Sequence, residues 1–238
     1  LSRCFLELGG NDPLIIFDDV DLDTAVTEAI NGRIVHAGQA CCSSKRFIVQ
    51  ENIYDEFAGR LAERLKGMKI GDPLDQGSRI GPLIDERAAQ RVEEIVDRTV
   101  KAGAYCLCGG RRFDGNFFEP TVLTGVTPAM DIAQNLEVFG PVFPLIKFKT
   151  EEQAVAIADN CTYGLSSGVI SGEIQRAIRV ARQLDAGNCT INGTGLYRTH
   201  DMPFGGHRKS GLGTEGLYAT LDEFTKTKTY VWKGAAIR

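Results

Sequence analysis

Pro13-Leu14-Ile15-Ile16-Phe17-Asp18-Asp19-Val20-Asp21-Leu22-Asp23-Thr24-Ala25-Val26-Thr27-Glu28-Ala29-Ile30 decides the fold class. Its first part is a short apolar run behind a proline, the signal of a buried strand. Its second part opens on Asp21, a residue type that caps helix N-termini. Leu22, Ala25, Val26, Ala29 and Ile30 then fall on one helical face. A polar turn follows, Gly38-Gln39-Ala40-Cys41-Cys42-Ser43-Ser44, and Arg46 to Gln50 reads as a second strand. Further along, Tyr54, Phe57, Leu61 and Leu65 mark a helix, and Ala88, Val92, Ile95 and Val96 another. Between them Gly71-Asp72-Pro73 and Gly81-Pro82 punctuate a long loop. Strands are expected at 105–108, 121–123, 142–148, 165–170 and 189–191, with helices at 151–159 and 173–184. Alternation of this kind predicts a layered α/β fold around a mostly parallel sheet. Residues 225–233 alternate polar and apolar side chains and carry β-formers with no helix after them. They read as a lone strand, paired either at an internal edge or with another subunit.

Composition narrows the function. The chain has 238 residues, 43% hydrophobic and 24% charged, the mix of an ordinary globular protein. A net charge of −4, with both signs interspersed, argues against a nucleic-acid or anionic-membrane surface. No apolar run reaches the roughly 20 residues of a membrane helix. Leu1-Ser2-Arg3 leads straight into a core-like segment, so no secretory leader is expected. Seven cysteines, an odd number, favour free thiols and a cytoplasmic setting. The Asn-x-Thr triplets at Asn160, Asn188 and Asn192 are then chance occurrences.

Three patterns tempt. Gly211-Leu212-Gly213-Thr214-Glu215-Gly216 has dinucleotide-loop spacing but leaves no room for the βαβ unit that such a loop opens. Gly164-Leu165-Ser166-Ser167-Gly168 has nucleophile-elbow spacing, with Asp185 and His200 following in hydrolase order. Its serines nevertheless open an apolar strand where an elbow needs a turn. Cys106 and Cys108 lack a second pair, and His36, His200 and His207 are the only histidines, so no metal site is expected. Cys4, Cys106, Cys108, Cys161 and Cys189 sit among apolar neighbours and are expected to pack.

A stronger constellation has four parts. Leu6-Glu7-Leu8-Gly9-Gly10-Asn11 sets an acid before two glycines, and Gly38-Gln39-Ala40-Cys41 sets a thiol in a polar turn. Glu137-Val138-Phe139-Gly140-Pro141 is again an acid before a turn. Pro203-Phe204-Gly205-Gly206, then Lys209-Ser210-Gly211, closes the set. At these residues the sequence resembles the aldehyde dehydrogenase superfamily, whose patterns are ELGG followed by Lys or Asn, GQ-x-C, E-x-FGP and PFGG-x-K-x-SG. All four occur in family order with similar spacing, and the resemblance covers essentially the whole chain.

The resemblance implies a three-layer α/β catalytic domain and an NAD- or NADP-dependent oxidation of an aldehyde to a carboxylic acid. Cys41 matches the nucleophile, and a thiolate is suited to adding to an aldehyde carbon. Its backbone N–H is a candidate oxyanion donor. Glu7 matches the general base that activates water against the thioester. Glu137 matches the glutamate that hydrogen-bonds the nicotinamide ribose, and Phe139 the aromatic beside the nicotinamide. Arg198, beside Tyr197 in a loop that contacts substrate in the family, is a candidate partner for an anionic tail, as in succinate semialdehyde or a phosphonated aldehyde. Its alternative is a surface ion pair with Asp201.

The family's enzymes are about twice as long, and their upstream half carries most of the cofactor-binding domain and an oxyanion-hole asparagine. Residues 1–10 then correspond to the end of that domain and the hinge, 11–215 to the catalytic domain, and 216–238 to an oligomerisation segment whose 225–233 strand joins a homo-oligomer. Two other functions stay open: a folded oligomerisation module without activity, and a serine hydrolase using Ser166.

Overall fold

The computed structural model describes residues 3–234. Residues 1, 2 and 235–238, which belong to the expected 1–10 and 216–238 segments, lie outside the described residues. Strand β1 is Leu6–Glu7 and β2 is Pro13–Ile16, all four residues of β2 being buried. Helix α1, Leu22–Ile34, begins at Asp21, whose carboxylate accepts from Thr24 N at 2.8 Å. Strand β3, Arg46–Gln50, follows, then α2, Tyr54–Lys66, and α3, Glu86–Lys101. The buried face of α2 is Tyr54, Phe57, Ala58, Leu61, Ala62 and Leu65, the periodicity that predicts it. Asp85 caps α3 by accepting from Ala88 N at 2.7 Å.

Strand β4 is Tyr105–Cys108, β5 Arg112–Phe113, β6 Phe117–Phe118, β7 Thr121–Val126 and β8 Val142–Phe148. Helix α4, Glu151–Asp159, then precedes β9, Tyr163–Gly164, and β10, Ser166–Ile170. Helix α5, Ile174–Ala181, leads to β11, Asn188–Ile191. The chain closes with β12, His207–Arg208, β13, Gly211–Leu212, and α6, Leu217–Phe224.

Seven strands form one sheet in the order β11-β10-β2-β3-β8-β7-β4. Every pairing is parallel except β4 with β7. Sheets of this kind are buried on both faces, and β2, β3 and β8 accordingly read as near-continuous Val, Ile, Leu and Phe. The three layers follow from handedness. The β2-to-β3 crossover steps one way along the sheet and the β8-to-β10 and β10-to-β11 crossovers step the other way. Right-handed connections therefore place α1 on one face and α4 and α5 on the opposite one. In agreement, α2 packs on α1, while α4 lies over β2 and β3, the strands its crossover spans.

The structure amends several expectations. The helix expected to reach 184 ends at Ala181, and α6 was not signalled. Residues 226–233 join no ladder among the described residues, so the internal-edge reading of 225–233 is set aside. Cys4 and Cys106 are exposed, where packing was expected. Ser166 lies within β10, 1% exposed, with its Oγ unpartnered. Asp185 pairs with His207 at 2.9 Å rather than with His200. An elbow serine must stand exposed on a sharp turn, so the serine hydrolase is excluded. Among the described residues no helix is long and apolar enough to cross a membrane.

Candidate active site

The four motifs meet at the amino ends of the parallel strands. Glu7 sits in β1, which pairs antiparallel with β13, Leu6 opposite Leu212 and Glu7 opposite Gly211. Leu8 N adds a bond to Ser210 O at 2.9 Å. The first motif is thereby fastened to the last. Ser210, fully buried, accepts from Gly164 N through its Oγ at 2.9 Å, which ties both to the entry of β10.

The two glycines after Glu7 are there for space. A Cβ at Gly9 would land on the Glu137 carboxylate, and one at Gly10 would stand 2.9 Å from Leu165 Cβ and 3.1 Å from Cys41 O. With no side chain in the way, Gly10 N donates to Glu137 Oε1 at 2.8 Å. Asn11 follows, its Nδ2 donating to Gln134 O at 2.8 Å and Ile132 O at 3.3 Å. The first and third motifs are thus joined by direct hydrogen bonds.

The loop that carries Cys41 is entered through left-handed backbone: His36, Ala37 and Gly38 have φ of 49°, 56° and 80°. A Cβ at Gly38 would strike the carbonyl of Gly140, so the glycines of the second and third motifs are a packed pair. Gln39 holds the loop from outside. Its Oε1 accepts from Ile84 N at 2.8 Å and its Nε2 donates to His36 O at 2.8 Å. From inside the loop is held by two buried cations, Lys45 and Arg33, while a third, Arg46, braces the first motif and the end of α4 instead. Lys45 Nζ donates to Cys41 O at 2.5 Å and Ala40 O at 3.0 Å, and lies 3.3 Å from Glu137 Oε1. Arg33 donates to Ser43 Oγ, Val138 O and Val142 O at 2.7–2.9 Å. Arg46 donates to Asn11 O, Ile157 O and Ala158 O at 2.6–2.9 Å.

Cys41 and Cys42 are half-buried and share a hydrogen bond. That bond, then burial, then the Glu7 carboxylate push the Cys41 thiol well above its ordinary range, which also shows that Glu7 faces Cys41. The same bond draws Cys42 down to about 7 against burial, with help from the Lys45 charge. The pair therefore shares one proton near neutrality, with a carboxylate beside it able to accept a proton. Phe139 is 41% exposed, and Lys45 Nζ stands 5.5 Å from its ring centre. Glu7, Cys41, Glu137 and Phe139, selected from sequence, are thus brought into one cluster.

Arg198 is not free. It donates to Glu215 Oε1 at 2.7 Å and stacks over Phe204 at 4.1 Å, while Asp201 accepts instead from Thr199 Oγ1. In the last motif the side chain that is tied down is Arg208 rather than Lys209. With φ of 52° it bonds Asp185 Oδ2 at 2.5 Å and Cys161 O at 2.7 Å. Sequence reasoning missed Asp12, Arg33, Lys45 and Arg46. The one available signal was a Lys-Arg pair opening an otherwise apolar strand. Among the described residues no cluster of three or more His, Cys, Asp or Glu is placed to hold a metal ion.

The chain matches the aldehyde dehydrogenase family over residues 1–230 and belongs to it. It is similar to the succinate-semialdehyde dehydrogenase [NADP(+)] of Deinococcus radiodurans, 44% identical over 96% of this chain and 48% of that protein. It is also similar to the sulfoacetaldehyde dehydrogenase of Neptuniibacter caesariensis, 39% identical over 97% of this chain and 50% of that protein. Among solved structures, the NAD-dependent aldehyde dehydrogenase of Sinorhizobium meliloti superimposes with a TM-score of 0.94 at 39% identity, covering 100% of this chain and 48% of that one. The chain spans about half the length of the curated relatives it matches.

Proposed function

We propose that this chain supplies the chemical half of an aldehyde oxidation that uses NAD or NADP and releases a carboxylic acid. One observation carries the reading: Glu7, Cys41 and Glu137, distant in sequence, converge on one edge of the sheet, with Glu7 against the Cys41 thiol and Glu137 fixed behind it. Glu7 and Cys42 are the neighbours able to relieve Cys41 of its proton. The thiolate adds to the aldehyde carbon, and the new oxyanion meets the Cys41 N–H.

The residues present fit the ribose end of a nicotinamide cofactor. Glu137 Oε1 is occupied by Gly10 and Lys45, the carboxylate keeps its second oxygen for a hydroxyl, and Phe139 offers an exposed ring. When bound, the cofactor supplies the acceptor that carries the adduct to the acyl level. Glu7 then takes a proton from water, and the water's oxygen displaces the acyl group from Cys41 as a carboxylic acid. The two relatives described above are named for anionic aldehydes, others for the neutral lactaldehyde, and we assign this chain the anionic class. A tail carboxylate or sulfonate would have to draw Arg198 from Glu215. Residues 225–233 serve in this reading as a strand added to another subunit.

The test has two readouts. With a p-nitrophenyl ester, Cys41 becomes acylated, visible by mass on its peptide. Glu7→Gln prolongs that acyl state at least tenfold, and Cys41→Ser abolishes it. Aldehyde-dependent reduction of NAD or NADP across a panel with and without anionic tails then ranks substrates. Acylation that survives Cys41→Ser rejects the assignment.

A further inference from the structure

Lys45 is 1% exposed, and its ammonium is shared between two motifs: the Cys41 and Ala40 carbonyls on one side, the Glu137 carboxylate on the other. An ammonium carries three donors, and here they are distributed among these acceptors. A buried lysine of this kind is costly unless its charge is matched. The charged and titratable groups that face it are Asp12, Arg33, Glu137 and Cys42, and Glu7 faces the thiols from the other side.

We infer that Lys45 is a positioning residue that ties the nucleophile loop to the cofactor-side glutamate and lends its charge to the Cys41–Cys42 pair, so that a change at Glu137 is felt at the nucleophile. The inference rests on Cys41 being the nucleophile and Glu137 the ribose ligand. Its content is the coupling between them. Removing the ammonium takes away the positive charge nearest the thiols. Removing the negative charge of Glu137 leaves that ammonium uncompensated and more effective on them. The two changes therefore act in opposite directions on thiolate formation, which a purely structural disturbance would not do.

The experiment is iodoacetamide alkylation of the chain against pH, with each cysteine followed by peptide mass spectrometry and exposed Cys4 as internal control. Lys45→Met is expected to move the midpoint of the Cys41–Cys42 pair up by about one pH unit, slowing its alkylation about tenfold at neutral pH. Glu137→Gln is expected to move the midpoint down, and Cys4 to stay unchanged in both. Superimposable profiles for Lys45→Met and wild type overturn the coupling, as do shifts of the same sign in the two variants. If Lys45→Met does not fold, Glu137→Gln decides alone, and no downward shift overturns the coupling. A wild-type pair no more reactive than Cys4 removes the nucleophile assignment itself, and the inference with it.

Discussion

Asp12 is a carboxyl group in an unfavourable medium. It is 2% exposed, and burial raises it to about 7 although the Lys45 charge and contacts from Ser166 pull the other way. Its folded value lies above its unfolded value of 3.8, so the folded state binds the proton more tightly. The stability this gives is complete below the unfolded value and is lost as pH rises through about 7. Asp12→Asn is expected to flatten the pH dependence of the thermal midpoint across that window, as read by calorimetry. An unchanged slope would show that Asp12 is ionised throughout. Asp12 also marks what the sequence concealed. Glu7, Cys41, Glu137 and Phe139 were legible because each stands in a short glycine-bearing motif, and the four motifs together, in order, resemble one family. Asp12, Arg33, Lys45 and Arg46 were not, because a charged letter in a sequence looks the same in solvent or in a core. Only their partners, some more than a hundred positions away, bury them.

In open α/β sheets ligands ordinarily sit beyond the carboxyl ends of the strands, where neighbouring crossovers diverge. Here the corresponding crevice, between β2 and β10, is closed by Asp19. Its carboxylate accepts from Glu173 N at 2.9 Å and Ser171 Oγ at 3.0 Å, and Arg176 lies 3.4 Å away. Burial would raise Asp19, but these bonds and that of Gly172 N outweigh it and hold the carboxylate below its ordinary value. Asp19→Ala is expected to cost about 1–3 kcal/mol in chemical denaturation, because it strips charge-assisted bonds from the entry of α5. The loss should shrink as pH falls below 3.8, where the unfolded chain takes up the proton first, and vanish once pH passes the lower folded value. A variant as stable as wild type at neutral pH would leave Asp19 without a structural role. The long elements were legible because periodicity accumulates over many residues. The two-residue ladders β1–β13 and β9–β12 were not, since a pair of residues carries no period. Yet it is β1–β13 that brings Glu7 to the site.

Considered as a body, the chain leaves a run of large apolar side chains in water. Phe5, Leu6, Leu8, Leu212, Leu217, Tyr218 and Leu221 are all exposed, and Phe224, Tyr230, Val231 and Trp232 more so. Phe5, Leu6, Leu212 and Phe224 line a cleft of about 250 Å³ with Glu7 on its wall. Surfaces of this kind seek cover. Light scattering over a concentration series is expected to give a mass that rises above 25.9 kDa, and Trp232→Glu to lower it. A constant monomer mass would count against the proposed intersubunit strand. The position of the cluster at the amino ends has an electrical consequence too. Helices α1 and α4 run back toward that edge and present their C-termini to it, each equivalent to about half a negative charge. Arg46 grips the last carbonyls of α4, and Arg33 reaches Gly38 O just past α1. The buried cations thus answer the scaffold's own dipoles before any ligand arrives. In the proposed reaction a thiolate would form against that background and depend on the cation nearest it. The positively charged ring of an oxidised nicotinamide, the cofactor proposed for this site, would be drawn in by the same background, whereas the phosphates behind it would have to find their neutralisation elsewhere.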